Sequence, residues 1–202
     1  MLKRNQRLLS LDLSDASLGT DAMVALTTAL TVNHSLQELM VESALLFSKE
    51  EDVAYLFAKM LRVNRGLRSL HLGKLRMRDE GAQLLAHYLQ ENDTLTALSL
   101  RCNEIGALGA EALAALLIRG SALRSVDLSA NRIHDDGARA LAAALRADAP
   151  VTELDIRNNG IGNDGLCAIA QGLDANTSLQ KLLVWGNKFG EDASDMFAAL
   201  EE

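Results

Sequence analysis

The sequence predicts a curved α/β solenoid of about seven strand–helix repeats, with a parallel sheet on the concave face and helices on the convex face. Three observations predict it. An apolar frame carrying an asparagine recurs at 28-residue steps. Inside each unit the hydrophobic spacing changes from alternation to a helical period. Aromatic content is only 3% and Pro150 is the single proline, so leucine and alanine must build the interior. Residues 1–202 read as one domain, most regular from 95 to 200.

The units follow one another in register. Leu8, Leu11, Leu13, Ala16 and Leu18 form the first; Leu36, Leu39, Val41, Ala44 and Leu46 the second. A 31-residue step, which expands the segment Phe47–Glu51, leads to Leu67, Leu70, Leu72, Leu75 and Met77. The frame is then complete four times: Leu95, Leu98, Leu100, Asn103, Ile105; Leu123, Val126, Leu128, Asn131, Ile133; Val151, Leu154, Ile156, Asn159, Ile161; and Leu179, Leu182, Val184, Asn187, Phe189. The alternating LxLxx stretch of each unit predicts a short strand with one buried face.

About a dozen residues of helical spacing follow each strand. Leu85 and Leu89, Leu113 and Leu117, Leu141 and Leu145, and Ile169 and Leu173 are each four apart, on one helix face. Gly81, Gly109, Gly137 and Gly165 recur near the helix starts, where a small residue allows neighbouring turns to approach. Asp79, Asp135, Asp136, Asp164 and Asp192 also sit near helix N-termini, where exposed amides favour a carboxylate. Turn formers mark the way back to the next strand: Asn5, Asn33, Asn64, Asn92, Gly120, Asp148 and Asn176. The strand-unit asparagines Asn103, Asn131, Asn159 and Asn187 are expected to face inward and satisfy backbone groups between turns.

The register LxxLxLxxNxIgxxGaxxLaxxL resembles the ribonuclease-inhibitor-like leucine-rich-repeat family, over almost the whole chain and most strongly from Leu95 to Phe189. That group includes ribonuclease inhibitors, sensor regions of NACHT-type receptors, Ran GTPase-activating proteins and ciliary scaffold proteins. The resemblance implies the fold and a protein-binding role. Ribonuclease inhibitors alternate two repeat lengths and are rich in cysteine; this chain does neither. A Ran-type activator is expected to carry more repeats and a strongly acidic C-terminal region, whereas only Glu201 and Glu202 end this sequence.

Composition narrows the function further. The net charge of -7 argues against broad nucleic-acid binding, and no specific nucleic-acid partner is expected. No apolar run approaches the ~20 residues of a membrane span, so no membrane insertion is expected. The N-terminal leucines alternate with polar residues, unlike a signal peptide, which favours an intracellular, cytoplasmic protein; cytoskeletal or ciliary association stays open. Cys102 and Cys167 are too few for a disulfide framework or a structural zinc site. No nucleotide, zinc or calcium motif is present; the sequence calls for no catalytic residues, metal or cofactor, and the expected protein is not an enzyme.

The candidate surface is the concave face. Its outward positions include Glu42, His71, Lys74, Arg101, Asp127, Asp155, Arg157, Leu183 and Trp185, the expected contacts of a protein partner within a multisubunit assembly. The series is acidic at Asp12, Asp15, Glu38 and Glu42, basic at Arg68, His71, Lys74 and Arg101, and mixed beyond. Trp185, the only tryptophan, is the natural aromatic anchor. His71 has the chemistry of a base, yet no nucleophile with an orienting acid is specified beside it. The array ends carry no evident cap, so either a larger repeat protein was trimmed or neighbours cover them; the initial Met1 favours neighbours. The leading expectation is a non-enzymatic binding or scaffold subunit. The alternative is a Ran-like GTPase-activating or other enzyme-regulating protein.

Overall fold

Each apolar frame becomes a strand only three residues long. The computed structural model describes residues 2–43 and 50–199, and places β1 (Ser10–Asp12), β2 (Glu38–Met40), β3 (Ser69–His71), β4 (Ala97–Ser99), β5 (Ser125–Asp127), β6 (Glu153–Asp155) and β7 (Lys181–Leu183) in one parallel sheet, paired in sequence order. The pairing sets Leu11, Leu39, Leu70, Leu98, Val126, Leu154 and Leu182 side by side. Alternate residues of a strand face opposite ways, so this row points into the core and its two flanking rows point out.

Parallel strands require a crossover. It is supplied by α1 (Thr20–Leu30), α2 (Glu50–Val63), α3 (Arg78–Leu89), α4 (Ala107–Ile118), α5 (His134–Arg146), α6 (Asn163–Leu173) and α7 (Glu191–Ala199), with a 3-10 turn at Leu2–Arg4. Helices are wider than strands, so the stack curves with the sheet inside the arc. The predicted i, i+4 leucines are the buried helix face: Leu85, Leu113, Leu117, Leu141, Leu145 and Ile169 are all buried. The glycines hold the turns close, as expected: a Cβ on Gly137 would lie 2.5 Å from Ile133 Cγ2 and 3.0 Å from Ala110 Cβ. Ala44, Leu46 and the residues 47–49 of the expected expansion lie outside the described residues.

Two rows of asparagine stitch the turns together. In the predicted row, Asn131 donates to the carbonyls of Leu100 and Leu128 at 3.0 and 2.8 Å. Its Oδ1 accepts the N–H groups of Asn103 and Ile105, one turn back, at 2.8 and 3.0 Å. Asn103, Asn159 and Asn187 repeat this pattern. The second row was legible only as turn formers, yet it does the same work at the other edge. Asn64 donates to the Leu30 and Asn33 carbonyls at 2.7 and 2.8 Å and accepts from Gly66 and Leu67 at 2.9 and 2.8 Å.

Two of the acidic residues at helix starts cap the neighbouring helix. Asp79, in the first turn of α3, accepts the N–H groups of Gly106 and Gly109 of α4 at 2.7 and 2.9 Å. Asp135 of α5 does this for Gly162 and Gly165 of α6 at 2.6 and 3.3 Å. Ala107 occupies the equivalent place in α4 and has no oxygen to offer α5, which starts instead at Ile133 in helical conformation. Repeats of equal length thus alternate in the way their helices begin.

Candidate protein-binding face

The concave face consists of the two outward rows of the sheet and a third row just beyond it. The first outward row runs Ser10, Glu38, Ser69, Ala97, Ser125, Glu153, Lys181, and the second Asp12, Met40, His71, Ser99, Asp127, Asp155, Leu183. The second row holds the outward positions Asp12, His71, Asp127, Asp155 and Leu183 expected from the sequence, and the first row holds the expected acid Glu38. Ser69, Ser125 and Lys181 were missed, although the same two-residue alternation places them.

Serine–carboxylate pairs cross neighbouring strands throughout this surface. Ser10 donates to Glu38 at 2.7 Å, Ser99 to Asp127 at 2.8 Å and Ser125 to Glu153 at 3.0 Å. Asp127 also accepts the backbone and hydroxyl donors of Ser129 at 2.9 and 2.6 Å. In β1, the backbone N–H of Ser14 holds the Asp12 carboxyl below its ordinary pKa. These acids are therefore engaged within the sheet, which orients them and lowers what each has to offer a partner.

His71 has a neighbour that the sequence reading did not name. Ser69 Oγ lies 2.9 Å from His71 Nε2, and Glu38 Oε1 lies 3.9 Å from the same nitrogen. An orienting acid in a nucleophilic triad occupies the opposite ring nitrogen. The arrangement is a polar chain along the sheet and does not assemble that triad.

The third row runs Ser14, Glu42, Gly73, Arg101, Ser129, Arg157, Trp185. Arg101 reaches over Gly73 to Glu42, with Nε 3.0 and 3.1 Å from the two carboxylate oxygens. This hydrogen-bonded pairing pushes the Arg101 guanidinium above its ordinary pKa. The expected acidic and basic zones are thus joined at their boundary. Lys74, next in the chain, is exposed and stands with φ 57 at the strand-ending turn, a left-handed position shared by Ser43, Cys102, Ala130 and Asn158.

At the C-terminal end of the row, Arg157 grips Asp155 through Nε at 2.8 and 2.9 Å, which raises the arginine's pKa. Its guanidinium carbon lies 4.8 Å from the centre of the Trp185 ring. Trp185 is 58% exposed, so the expectation of an outward tryptophan holds geometrically. Beside it, Ser125, Asp127, Glu153, Asp155, Arg157, Lys181 and Leu183 line a hollow of about 190 Å³. The structure therefore gathers Asp127, Asp155, Arg157, Leu183 and Trp185 into one patch. Glu42 and Arg101 form a separate pair, with His71 and Lys74 near them on β3 and its turn.

Among the described residues, no group of three or more His, Cys, Asp or Glu side chains could hold a metal ion. Both cysteines are free and half-buried. No described helix is long and apolar enough to cross a membrane.

Comparison with known proteins places this geometry. A family model described as a leucine-rich repeat matches residues 91–114, 122–142 and 149–170, which are the most regular repeats. The C-terminal domain of tropomodulin from Caenorhabditis elegans superposes with a TM-score of 0.60 at 16% identity, over 75% of this chain and 90% of that one. The described repeats share the strand–helix solenoid fold, and the middle ones match the leucine-rich-repeat model. Two weaker likenesses are the actin-binding site 2 of leiomodin-1 (TM-score 0.41, 19% identity, 98% of this chain and 82% of that one) and TLR13 bound to a single-stranded RNA. The latter has a TM-score of 0.44 at 17% identity, and this solenoid, covered in full, spans 36% of that chain. No curated protein matches the sequence.

Proposed function

We propose that this leucine-rich-repeat solenoid is a non-enzymatic protein-binding or scaffold subunit, intracellular, that holds its partner on the concave face. The observation that carries the reading is the Trp185–Arg157–Asp155 stack. An exposed tryptophan is costly to leave in water unless it is used, and here its ring is held by a guanidinium that a carboxylate fixes in turn. Pre-ordering removes part of the entropy cost of binding, which suits an anchor residue. The adjoining hollow, lined by Leu183 together with Lys181 and Glu153, supplies an apolar contact among polar ones. Glu42, His71, Lys74 and Arg101 extend the contact toward the N-terminal repeats.

The test is partner capture under mild conditions, compared across variants. Trp185→Ala should lose the partners that the unaltered chain retains, while Leu108→Ala, on an exposed helix position, should keep them. Retention by Trp185→Ala at unchanged stoichiometry would remove the concave anchor. If the captured set is dominated by a GTPase, acceleration of its GTP hydrolysis decides between a scaffold and a regulator.

A further inference from the structure

Gly19, Gly106, Gly162 and Gly190 hold the same place in their repeats, one residue before a helix. Three of these helix starts receive a cap from the repeat before. Asp79 serves Gly106, Asp135 serves Gly162, and Asn163 accepts the Ala193 N–H in the first turn after Gly190 at 3.1 Å. Gly19 has the same extended backbone, with φ -87 and ψ 177 against φ -88 and ψ -175 at Gly162. Among the described residues, however, no side chain caps α1. Open space stands where a Cβ of Gly19 would be, whereas at Gly106, Gly162 and Gly190 that place meets the capping side chain. The residue at the capping position of the seventh repeat is Glu191, exposed in the first turn of α7, and its carboxylate pairs with no described residue.

Three other features of the first and seventh repeats complement each other in the same way. Asn5 Oδ1 accepts from Arg7 and Leu8 at 2.8 and 2.9 Å, but its Nδ2 has no acceptor among the described residues. One repeat on, Asn33 Nδ2 reaches back to the Leu2 and Asn5 carbonyls, both at 2.8 Å. Their counterparts in the seventh repeat, the Leu173 and Asn176 carbonyls, receive no side-chain amide from the described residues. Leu173 O takes the Asn176 N–H, yet Leu2 O takes the Asn5 N–H and still bonds Asn33, so a lone pair remains for a second donor. Arg62 pairs with Glu91 of the following repeat at 3.1 Å. Asp174 holds the place of Arg62 in the seventh repeat and Arg4 that of Glu91 in the first, and both are exposed. At the edges of the sheet, the Leu9 N–H beside β1 and the Gln180 carbonyl and Val184 and Gly186 N–H groups beside β7 have no partner among the described residues. Inside the sheet their counterparts pair, as Gln37 N–H does with Leu9 O and Asn158 N–H with Trp185 O.

We propose that the first-repeat face of one molecule docks on the seventh-repeat face of a second copy, continuing the array in register. Glu191 of one copy then caps α1 of the next at Gly19 and Ala22, as Asp79 caps α4. Asn5 donates to the Leu173 and Asn176 carbonyls, and Arg4 pairs with Asp174. Edge β1 joins edge β7, which sets Leu11 beside Leu182 and covers two half-buried ends of one apolar row. In this register Leu2 of the incoming copy falls beyond Ala199, so the described residues of the two copies do not overlap. The two faces differ, so each docked copy leaves one of each kind free, and association runs past the dimer as concentration rises. The contact does not depend on the concave anchor at Trp185.

The experiment is sedimentation equilibrium of the full chain from micromolar to millimolar concentration. The mass should rise above the 21.8 kDa of a single chain as concentration increases. Arg4→Glu and Asp174→Arg each set like charges across the junction and should weaken association by about tenfold or more, and the two together should restore it. Hydrogen exchange adds a readout at the cap. The Gly19 and Ala22 amides should gain protection on association, and Glu191→Ala should remove that gain. A mass of 21.8 kDa at every concentration, single reversals without effect, or a double reversal that does not restore association overturns the proposal. Association with no added protection at Gly19 and Ala22 overturns it as well.

Discussion

The carboxylate of Glu42 and the guanidinium of Arg101 meet across Gly73, with a whole repeat between them. The contact exists because the row position in the middle repeat has no side chain. A Cβ there would lie 2.9 Å from Arg101 Cγ and 3.0 Å from Glu42 Cδ. Glu42 is 9% exposed, so among the described residues Arg101 holds its charge inside a largely dry setting. The pair also closes the apparent charge gradient of the face. What looks in the chain like an acidic zone followed by a basic one is, at this boundary, a bond.

Gly73→Val should therefore split the pair. The expected loss is about 1–3 kcal/mol, the range for a buried polar group left without its partner, reduced by the half-exposed state of Arg101. Urea midpoints measure it. The effect should be much smaller when Glu42→Gln is already present; an undiminished loss in that background would show that crowding, and not the pair, sets the cost.

Asp79 and Asp136 both stand in first turns of helices, yet they should behave differently. Asp79 satisfies two N–H groups of the next helix, whereas Asp136 is exposed and pairs with Arg139 three residues on. Asp79→Ala should cost about 1–2 kcal/mol, as for loss of an N-cap, and Asp136→Ala no more than about 0.5 kcal/mol. Hydrogen exchange adds a local readout: Gly106 and Gly109 amides should lose protection in Asp79→Ala, while the amides of α3 itself should not.

That contrast shows what could be read from the chain alone. The strand frame was legible because a single inward row repeats every 28 residues, and Leu98, Val126 and Leu154 must all be apolar to fill one core. The inward role of Asn131 was legible for the same reason, since an amide inside an apolar frame has to bond to backbone. Asp79 reads identically whether it caps its own helix or the next, because periodicity fixes the position along a turn and not the turn a side chain reaches. The Ser69–His71 contact and the Glu42–Arg101 pair were hidden likewise. The first depends on side-chain rotamers along β3 and the second on side-chain reach across the sheet, which register allows but does not dictate.

Cys167 offers a pH-dependent probe of α6. Burial, then the charges of Asp192 and Asp164, raise its thiol above the ordinary value of 9.0. The folded chain therefore keeps the proton where the unfolded chain has begun to lose it. Its contribution to stability is full below the unfolded pKa and falls as pH rises through the folded one. Alkylation by iodoacetamide, followed by mass spectrometry, should show a rate inflection at higher pH in the native protein than in urea. Coincident inflections would mean that the hollow between α5 and α6, which Cys167 lines with Arg139, Arg146 and Asp164, is open to water around the thiol.

Asn131→Ala should be among the most damaging single changes that remove few atoms. The side chain's four shorter bonds serve the Leu100 and Leu128 carbonyls and the Asn103 and Ile105 N–H groups. They lie in the buried turns after β4 and β5, and alanine leaves all but the Leu128 carbonyl, which Asn159 also serves, without a side-chain partner. The first three units carry Ala16, Ala44 and Leu75 at this position, and the Leu75 turn is served from the other side: Asn103 accepts from Leu75 at 2.9 Å. At Asn131 the neighbouring turns depend on the residue that would be lost. A cost of about 3 kcal/mol or more follows from several unsatisfied buried groups at about 1 kcal/mol or more each. Asn131→Asp provides the chemical control. It keeps the acceptor for Asn103 and Ile105, loses the donor to both carbonyls and places a charge in the core, so it should be no better than alanine at neutral pH. Its midpoint should recover as pH falls and the carboxyl is protonated, whereas the alanine variant should show no such recovery.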